Sequence, residues 1–273
     1  MIRVNGIEVK QGQFPDHTLL MKFDPDQIPD DGNDIEIWWN YENDAELFTL
    51  ICLKRHLDQT FHPSTFRLFL PYIPHARMDR VKSGEDVFTL KYFCEVINSL
   101  NFPVVWVRDA HSNVSLALLD NVKEMDVDTY IQKAIDACVA EALFFPDEGA
   151  MKRYSDRFNM PYAFGLKKRD WQSGKILGLD LINPENIIGK KVLIVDDICS
   201  RGGTFYHSAK ALHKAGAAEV NLYVTHCEYT IHEGDLREKG LINQIYTTDS
   251  ILRQHYWIGM INIFDEERSN SDE

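Results

Sequence analysis

An α/β fold in two domains, each with a largely parallel sheet flanked by helices, follows from three features of the sequence. Short apolar runs rich in β-branched and aromatic residues alternate with segments of helical periodicity. Some of these runs, VLIV at Val192–Val195 the plainest, are apolar at every position, as a strand buried on both faces of a parallel sheet must be. The length of 273 residues suits two domains, at about 100–200 residues each.

The elements follow in order. DIEIWWNY (34–41) alternates well enough for a strand, and Asp44 to His56 reads as a helix with Leu47, Leu50, Ile51 and Leu53 inward. FRLFLPYIPHARMDR gives a strand ending at Pro71 and then a basic loop. Val87 to Leu100 is helical, PVVWVRDAHSN is a strand with a polar loop, and Asp128 to Ala140 is helical again. EALFFPDEGAMKRYSDRF reads as strand, loop and helix, and LKKRDWQSG as a mobile basic loop. Val192–Val195 forms a strand, with Asp196 and Asp197 at its C-terminal end. From Thr204 a helix carries Phe205, Ala209, Leu212 and Ala215 at helical spacing and stops at Gly216. EVNLYVTHCEYT is a strand ending at Thr225 and His226. The domain boundary is expected near residue 140, giving domains 1–140 and 141–260 and a polar acidic tail, 261–273, expected to be disordered.

Composition excludes several classes. A net charge of -13 argues against a nucleic-acid partner, which calls for a basic face. No apolar run approaches the roughly 20 residues of a membrane span, and no secretory signal opens the chain. Cys52, Cys94, Cys138, Cys199 and Cys227 form no CxxC pair and read as reduced intracellular thiols, Cys199 as a small filler in its loop.

The chemistry gathers in loops that follow strands. Gly202 and Gly203 lie between a strand and a helix start, where backbone amides and the helix N-terminus can cradle an oxyanion. The string is neither a Walker loop nor a dinucleotide fingerprint. Asp196 and Asp197 directly before it would repel phosphate but can accept from sugar hydroxyls, so the loop suits a ribose 5'-phosphate. In HARMDR, Arg77 and Arg80 flank Asp79; such a fork can hold a polyphosphate, or be a surface loop with local ion pairing. His111 and Asp147 occupy two further loops, where a solvated histidine and a helix cap are the plain readings.

VLIVDDICSRGGTF resembles the PRPP-binding signature of the type I phosphoribosyltransferase fold. With QFPDHT, HARMDR, RDAHSN, PDEGA and KKR before it in the same order, the chain resembles ribose-phosphate pyrophosphokinases (PRPP synthetases) over most of residues 13 to 226. Two phosphoribosyltransferase-like domains are implied: an N-terminal ATP-binding one and a C-terminal one for the sugar phosphate. The implied reaction moves the β,γ-diphosphate of ATP to the C1 hydroxyl of a 5'-phosphorylated ribose and releases AMP. By the same resemblance Phe14 and Asp16 contact adenine, and Arg77, Asp79 and Arg80 form the rest of the ATP site. His111 and Asp147 help to hold Mg²⁺, and Lys167 and Arg169 act in catalysis. Asp196, Asp197, Ser200, Arg201, Gly202, Gly203 and Thr204 bind the sugar phosphate. A homo-oligomer in the cytoplasm, the host's if the chain is phage-encoded, is implied as well.

The departures matter too. Ser200-Arg201 stands where the family has Asp-Thr, a change of two charge units toward positive beside the 5'-phosphate. That favours slightly an acceptor with a 5'-diphosphate, ADP-ribose, whose 1-pyrophosphate would serve NAD salvage, over ribose 5-phosphate. Thr18 replaces a usual Glu and Met78 a Gln, and the segment after Arg80 is short. A phosphoribosyltransferase consuming PRPP and a noncatalytic synthetase-associated regulator are the alternatives.

Overall fold

The computed structural model describes residues 1–29, 34–62, 66–169, 176–234, 236, 240–253 and 261–264, with the side chains of 167–169, 176–178 and 261 outside the description. The chain divides into two compact units, Met1–Asp126 and Val127–Glu273.

In the first unit, β1 (Ile2–Val4) pairs antiparallel with β2 (Ile7–Glu8) and with β5 (Ile35–Trp39). Parallel pairing continues through β6 (Phe66–Leu70), β7 (Val104–Arg108) and β8 (Val122–Met125), so the sheet runs β2-β1-β5-β6-β7-β8. A separate hairpin joins β3 (Gln11–Gln13) to β4 (Leu19–Met21). Ile35, Ile37, Leu68 and Val105 point to one face of the sheet. There they pack with Leu50, Leu53 and Leu57 of α1 (Ala45–Leu57) and with Leu90, Phe93 and Ile97 of α2 (Thr89–Ser99). On the opposite face Trp38 stacks on Phe69 at 4.3 Å and Phe69 on Trp106 at 6.2 Å, one residue from each of three neighbouring strands. Such a row is the cross-strand pairing that period-2 alternation produces.

The second unit has a seven-stranded sheet. Its strands are β9 (Ala142–Phe145), β10 (Tyr162–Arg169), β11 (Ile176–Ile182), β12 (Lys191–Cys199), β13 (Glu219–Cys227), β14 (Ile245–Thr248) and β15 (Ile261–Phe264), in the order β11-β10-β9-β12-β13-β14-β15. All neighbours are parallel except β10 and β11. Both faces are covered, as an all-apolar strand requires. Phe144, Ile194 and Leu222 meet Phe205, Ala209 and Leu212 of α6 (Gly203–Lys214) on one face. Leu143, Phe145, Leu193 and Val195 meet α4 (Asp128–Cys138) and α5 (Glu148–Tyr154) on the other. Because Tyr130, Ile131, Ala134 and Ile135 of α4 are buried in that second core, the units divide at Asp126/Val127, ahead of residue 140 where the sequence placed the boundary.

Two further differences concern the chemistry. The strand that leads into Asp196 and Asp197 does not stop at Val195: β13 continues the ladder to Ile198↔His226 and Cys199↔Cys227, so both aspartates lie within β12. Lys167 to Arg169, read as part of a loop, are the last residues of β10 and pair antiparallel with β11, with a register shift between Lys168 and Arg169; residues 170–175 of that stretch lie outside the described residues. Part of the tail, Ile261–Phe264, is β15, and 265–273 lie outside the described residues. No helix among the described residues is long and apolar enough to cross a membrane. All five cysteines are free; burial pushes the Cys94 thiol up to about 12, and Cys199 packs in the core at 1% exposure, a filler as expected.

Candidate active site

In the first unit, QFPDHT is the turn of the β3–β4 hairpin. Phe14 N–H donates to the Thr18 carbonyl at 2.9 Å, and His17 takes a left-handed φ of 65°. Asp16 Oδ1 accepts from the Thr18 hydroxyl at 2.7 Å and from its amide at 3.0 Å. Those two bonds hold the exposed carboxyl below its usual range, the hydroxyl first. Thr18, the departure at a usual glutamate, therefore builds the turn that presents Phe14, which is 49% exposed.

The loops bearing HARMDR and RDAHSN leave the C-terminal ends of β6 and β7, neighbouring parallel strands. His75, at φ 63°, reaches Asp44 Oδ1 at 3.0 Å from its Nε2. Arg77 is exposed, whereas the Asp79 carboxylate is buried and held in a two-bond fork by Arg80, Nε to Oδ1 at 2.7 Å and Nη2 to Oδ2 at 3.0 Å. Arg80, the Ser112 hydroxyl and the charge of His111 together keep the Asp79 carboxyl low, the Arg80 bonds most of all. Both guanidiniums of the fork read from the sequence are exposed, and Arg80 is held by the buried Asp79 carboxylate between them.

In the second unit the chain order reverses at β9: β10 lies to one side of it and β12 to the other. Open α/β sheets bind ligands at this kind of switch point, beyond the strands' carboxyl ends. Here the two loops are PDEGA, after β9, and ICSRGGT, at the end of β12. Asp147 caps α5, its Oδ1 accepting from Ala150 N–H at 3.1 Å. Asp196 Oδ1 accepts from Asp197 N–H at 3.0 Å. Burial, then the charge of Asp197 and its hydrogen bond, then the charge of Asp147 drive the Asp196 carboxyl well above the usual range. Three carboxylates therefore lie within electrostatic reach of one another at the switch point. Arg153 of α5 approaches Asp197 at 3.4 Å with its Nη1. It escaped the sequence reading because KRY on a helix reads as an ordinary basic turn.

Gly202 starts α6 with φ 79°, a conformation costly for any residue with a Cβ, and its carbonyl accepts from Tyr206 N–H at 2.9 Å. The loop is braced from behind. Ser200 Oγ bonds Thr230 at 3.0 Å, Glu228 N–H donates to the Cys199 carbonyl at 2.8 Å, and Arg201 pairs with Glu233 at 3.1 Å on the surface. Thr204 is exposed and Gly203 half-buried at the helix start. Deeper, His226 Nδ1 meets Ser250 Oγ at 2.8 Å, and Thr248 donates to the Thr225 carbonyl at 2.8 Å, a buried polar seam between β13 and β14.

A phosphoribosyl transferase domain model matches residues 150–252, a span that contains this loop and its bracing. The chain is 26% identical over 254 residues to the ribose-phosphate pyrophosphokinase of Thermoplasma acidophilum, spanning 89% of this chain and 83% of that one. It is 27% identical over 269 residues to the enzyme of that name from Thermoplasma volcanium, spanning 92% and 86%. Along most of its length the chain is similar to ribose-phosphate pyrophosphokinases. The crystal structure of phosphoribosylpyrophosphate synthetase from Mycobacterium smegmatis shares the fold, with a TM-score of 0.75, 17% identity, and coverage of 94% of this chain and 86% of that one. Each unit thus shares the fold of the corresponding part of that synthetase, and the second carries the phosphoribosyl transferase match. In this chain Asp147 and Asp197 stand near enough to Asp196 to raise its carboxyl, and Arg80, His111 and Ser112 act together on Asp79 in the first unit.

Proposed function

We propose that the protein transfers the β,γ-diphosphate of ATP to the C1 hydroxyl of ribose 5-phosphate and releases AMP. The observation that carries this is the switch crevice of the second unit. There a glycine-started helix N-terminus, suited to a phosphate, lies beside acceptor carboxylates suited to sugar hydroxyls. A ribose 5-phosphate offers both groups. Its phosphate would lie on the amides around Gly202 and Gly203, with Ser200 and Thr204 as hydroxyl donors, and its ring hydroxyls would donate to Asp196 and Asp197.

Arg201 gives no push toward the larger acceptor. Its guanidinium is paired with Glu233, which offsets the positive charge that made a 5'-diphosphate attractive in the sequence. Ribose 5-phosphate is therefore the acceptor in this reading, ahead of ADP-ribose.

Diphosphate transfer needs alignment and charge neutralisation more than covalent help. Phe14 would stack on adenine and Asp16 accept from its amino group, Arg77 and Arg80 would bind the polyphosphate, and Lys167 and Arg169, on β10, would meet charge developing on the transferred group. Mg²⁺ fits the donor set. Carboxylate oxygens suit a hard cation, and Asp196 is pushed up by burial and then by the charges of Asp197 and Asp147, which a cation would offset. No group of three or more His, Cys, Asp or Glu among the described residues forms a ready metal cage. In this reading His111 in the first unit and Asp147 in the second are each a candidate ligand of an ion otherwise held by phosphates and water. Such an ion would neutralise the transferred phosphates. The partners of the reading are ATP, ribose 5-phosphate and further copies of the chain, in the cytoplasm.

The test is AMP release from ATP and Mg²⁺ with ribose 5-phosphate or ADP-ribose offered separately, the product's C1-diphosphate being assigned by phosphorus NMR. AMP equal to product with ribose 5-phosphate is expected. ADP formation, or no ATP turnover with PRPP consumed by a nucleobase, would overturn the reading. A noncatalytic regulator would turn over neither acceptor. Arg201→Thr should leave kcat/KM for ribose 5-phosphate within about fivefold, since an exposed ion pair contributes at most about 1 kcal/mol. A selective loss with ADP-ribose would restore the other acceptor.

A further inference from the structure

The residue between the two arginines of HARMDR is the one least suited to touch a nucleotide. Asp79 is 6% exposed, and both carboxylate oxygens accept from Arg80, at 2.7 and 3.0 Å. A third donor, the Ser112 hydroxyl, reaches the same carboxylate from the loop after β7. Ser112 in turn caps α3 (Asn113–Leu118), its oxygen accepting from Val114 N–H at 3.1 Å. A single polar chain therefore runs from the Arg80 guanidinium through Asp79 and Ser112 to the start of α3, tying the loop after β6 to the loop after β7. His111 stands beside Ser112 and adds its charge to the same carboxylate.

A buried anion with its oxygens committed to protein donors gains nothing from a polyphosphate and would repel it. What it does do is fix the plane of Arg80, whose side chain is 66% exposed and would otherwise sample many rotamers. A guanidinium carries five N–H donors. The edge gripped by Asp79 uses Nε and one hydrogen of Nη2, leaving Nη1 and the outer Nη2 hydrogen to point outward.

We propose that Asp79 is a positioning residue for ATP. It orients the outward edge of Arg80 toward the polyphosphate and locks the two phosphate-side loops of the first unit to one another. This role rests on the ATP reading above and replaces the direct nucleotide contact that the sequence suggested for Asp79. Holding Arg80 in place lowers the ordering cost of binding without adding a contact, so removing Asp79 and removing Arg80 should damage the same event.

The test is a double-mutant cycle on binding, with MgATP titrated calorimetrically into wild type, Asp79→Asn, Arg80→Ala and the double variant, and ribose 5-phosphate titrated in parallel. Each single variant should weaken MgATP by about ten- to hundredfold, the range of a charge-assisted contact. The double should be no weaker than the poorer single, and ribose 5-phosphate affinity should hold. Arg80→Lys keeps the charge but not the two-bond fork; it should behave like Asp79→Asn, and it keeps the test decisive if Asp79→Asn does not fold. Losses that multiply in the double, or wild-type binding by both Arg80 variants, would overturn the proposal. Wild type that binds MgATP with this coupling yet releases no AMP would defeat only the reaction. Wild type that binds no MgATP would end both.

Discussion

Asp196, a proposed sugar-binding residue, strains the protein that carries it. Burial first, and then the neighbouring carboxylates of Asp197 and Asp147, raise its carboxyl well above the ordinary 3.8. A carboxyl raised in this way favours the folded state while protonated, and that stabilisation is lost as pH rises through the native pKa. Ionising this carboxyl in the folded protein therefore costs stability, a cost that a cation or sugar hydroxyls would relieve. Asp196→Asn should raise the Tm of the ligand-free protein at pH 7, by about 2–4 °C for each kcal/mol of repulsion removed, while abolishing turnover. The gain should shrink as pH falls toward 3.8, the ordinary value of an aspartate. Scanning calorimetry from pH 4 to 8 checks the sign. A variant less stable than wild type at pH 7 would mean that Asp196 serves the free structure. Residue identities of this kind were legible because adjacent acids before a glycine pair are rare chemistry. Arg153 and Ser112 were not legible, since each acts through a partner distant in sequence that only folding brings near.

At the scale of elements, the alternation of strands and helices was readable wherever a run was uniformly apolar or had helical spacing. The strands β5, β6, β7, β9, β12 and β13 and the helices α1, α2, α4, α5 and α6 lie where the sequence put them, within a few residues. What escaped it were elements whose pairing is made by a partner. β12 runs on through Asp196 and Asp197 because β13 supplies ladder partners, and β10 and β11 form a hairpin although LKKR carries no strand signal of its own. That hairpin puts Lys167 and Arg169 in the β10–β11 ladder, and Gly165 sets how closely it can approach the Asp147 loop. A Cβ there would lie 2.8 Å from the Pro146 carbonyl oxygen and 2.6 Å from Leu179 Cδ1. Leu179 can turn aside, whereas the Pro146 backbone cannot without moving Asp147. Gly165→Ala is accordingly expected to cost about 1–3 kcal/mol of stability and to lower kcat for AMP release at least tenfold, with KM for ATP little changed. Steady-state kinetics at a temperature where circular dichroism shows the variant folded checks it; unchanged kcat would separate the hairpin from the chemistry.

The whole molecule joins two units with separate cores. The first is centred on Ile37, Leu68 and Val105, and the second lies on the two faces around β12. Chains built from more than one domain commonly unfold in more than one step. In the proposed reading the crevice for ribose 5-phosphate belongs wholly to the second unit, so that ligand should stabilise one transition and not the other. Ligand at a hundredfold excess over Kd adds about 2.7 kcal/mol to the unit that binds it, which at about 2–4 °C per kcal/mol is a rise of roughly 5–11 °C. Leu68→Ala, a truncation at a side chain with 0% exposure in the first core, should cost about 2–5 kcal/mol and lower the other transition. Calorimetry of the intact protein with and without ribose 5-phosphate, in wild type and in this variant, sorts the outcomes. Opposite shifts in two resolved transitions assign each core to its unit and place the sugar phosphate in the second. If ligand and variant instead move one shared transition, the units unfold together. If ribose 5-phosphate shifts the transition that Leu68→Ala lowers, the sugar phosphate binds the first unit and the crevice between β9 and β12 is not its site.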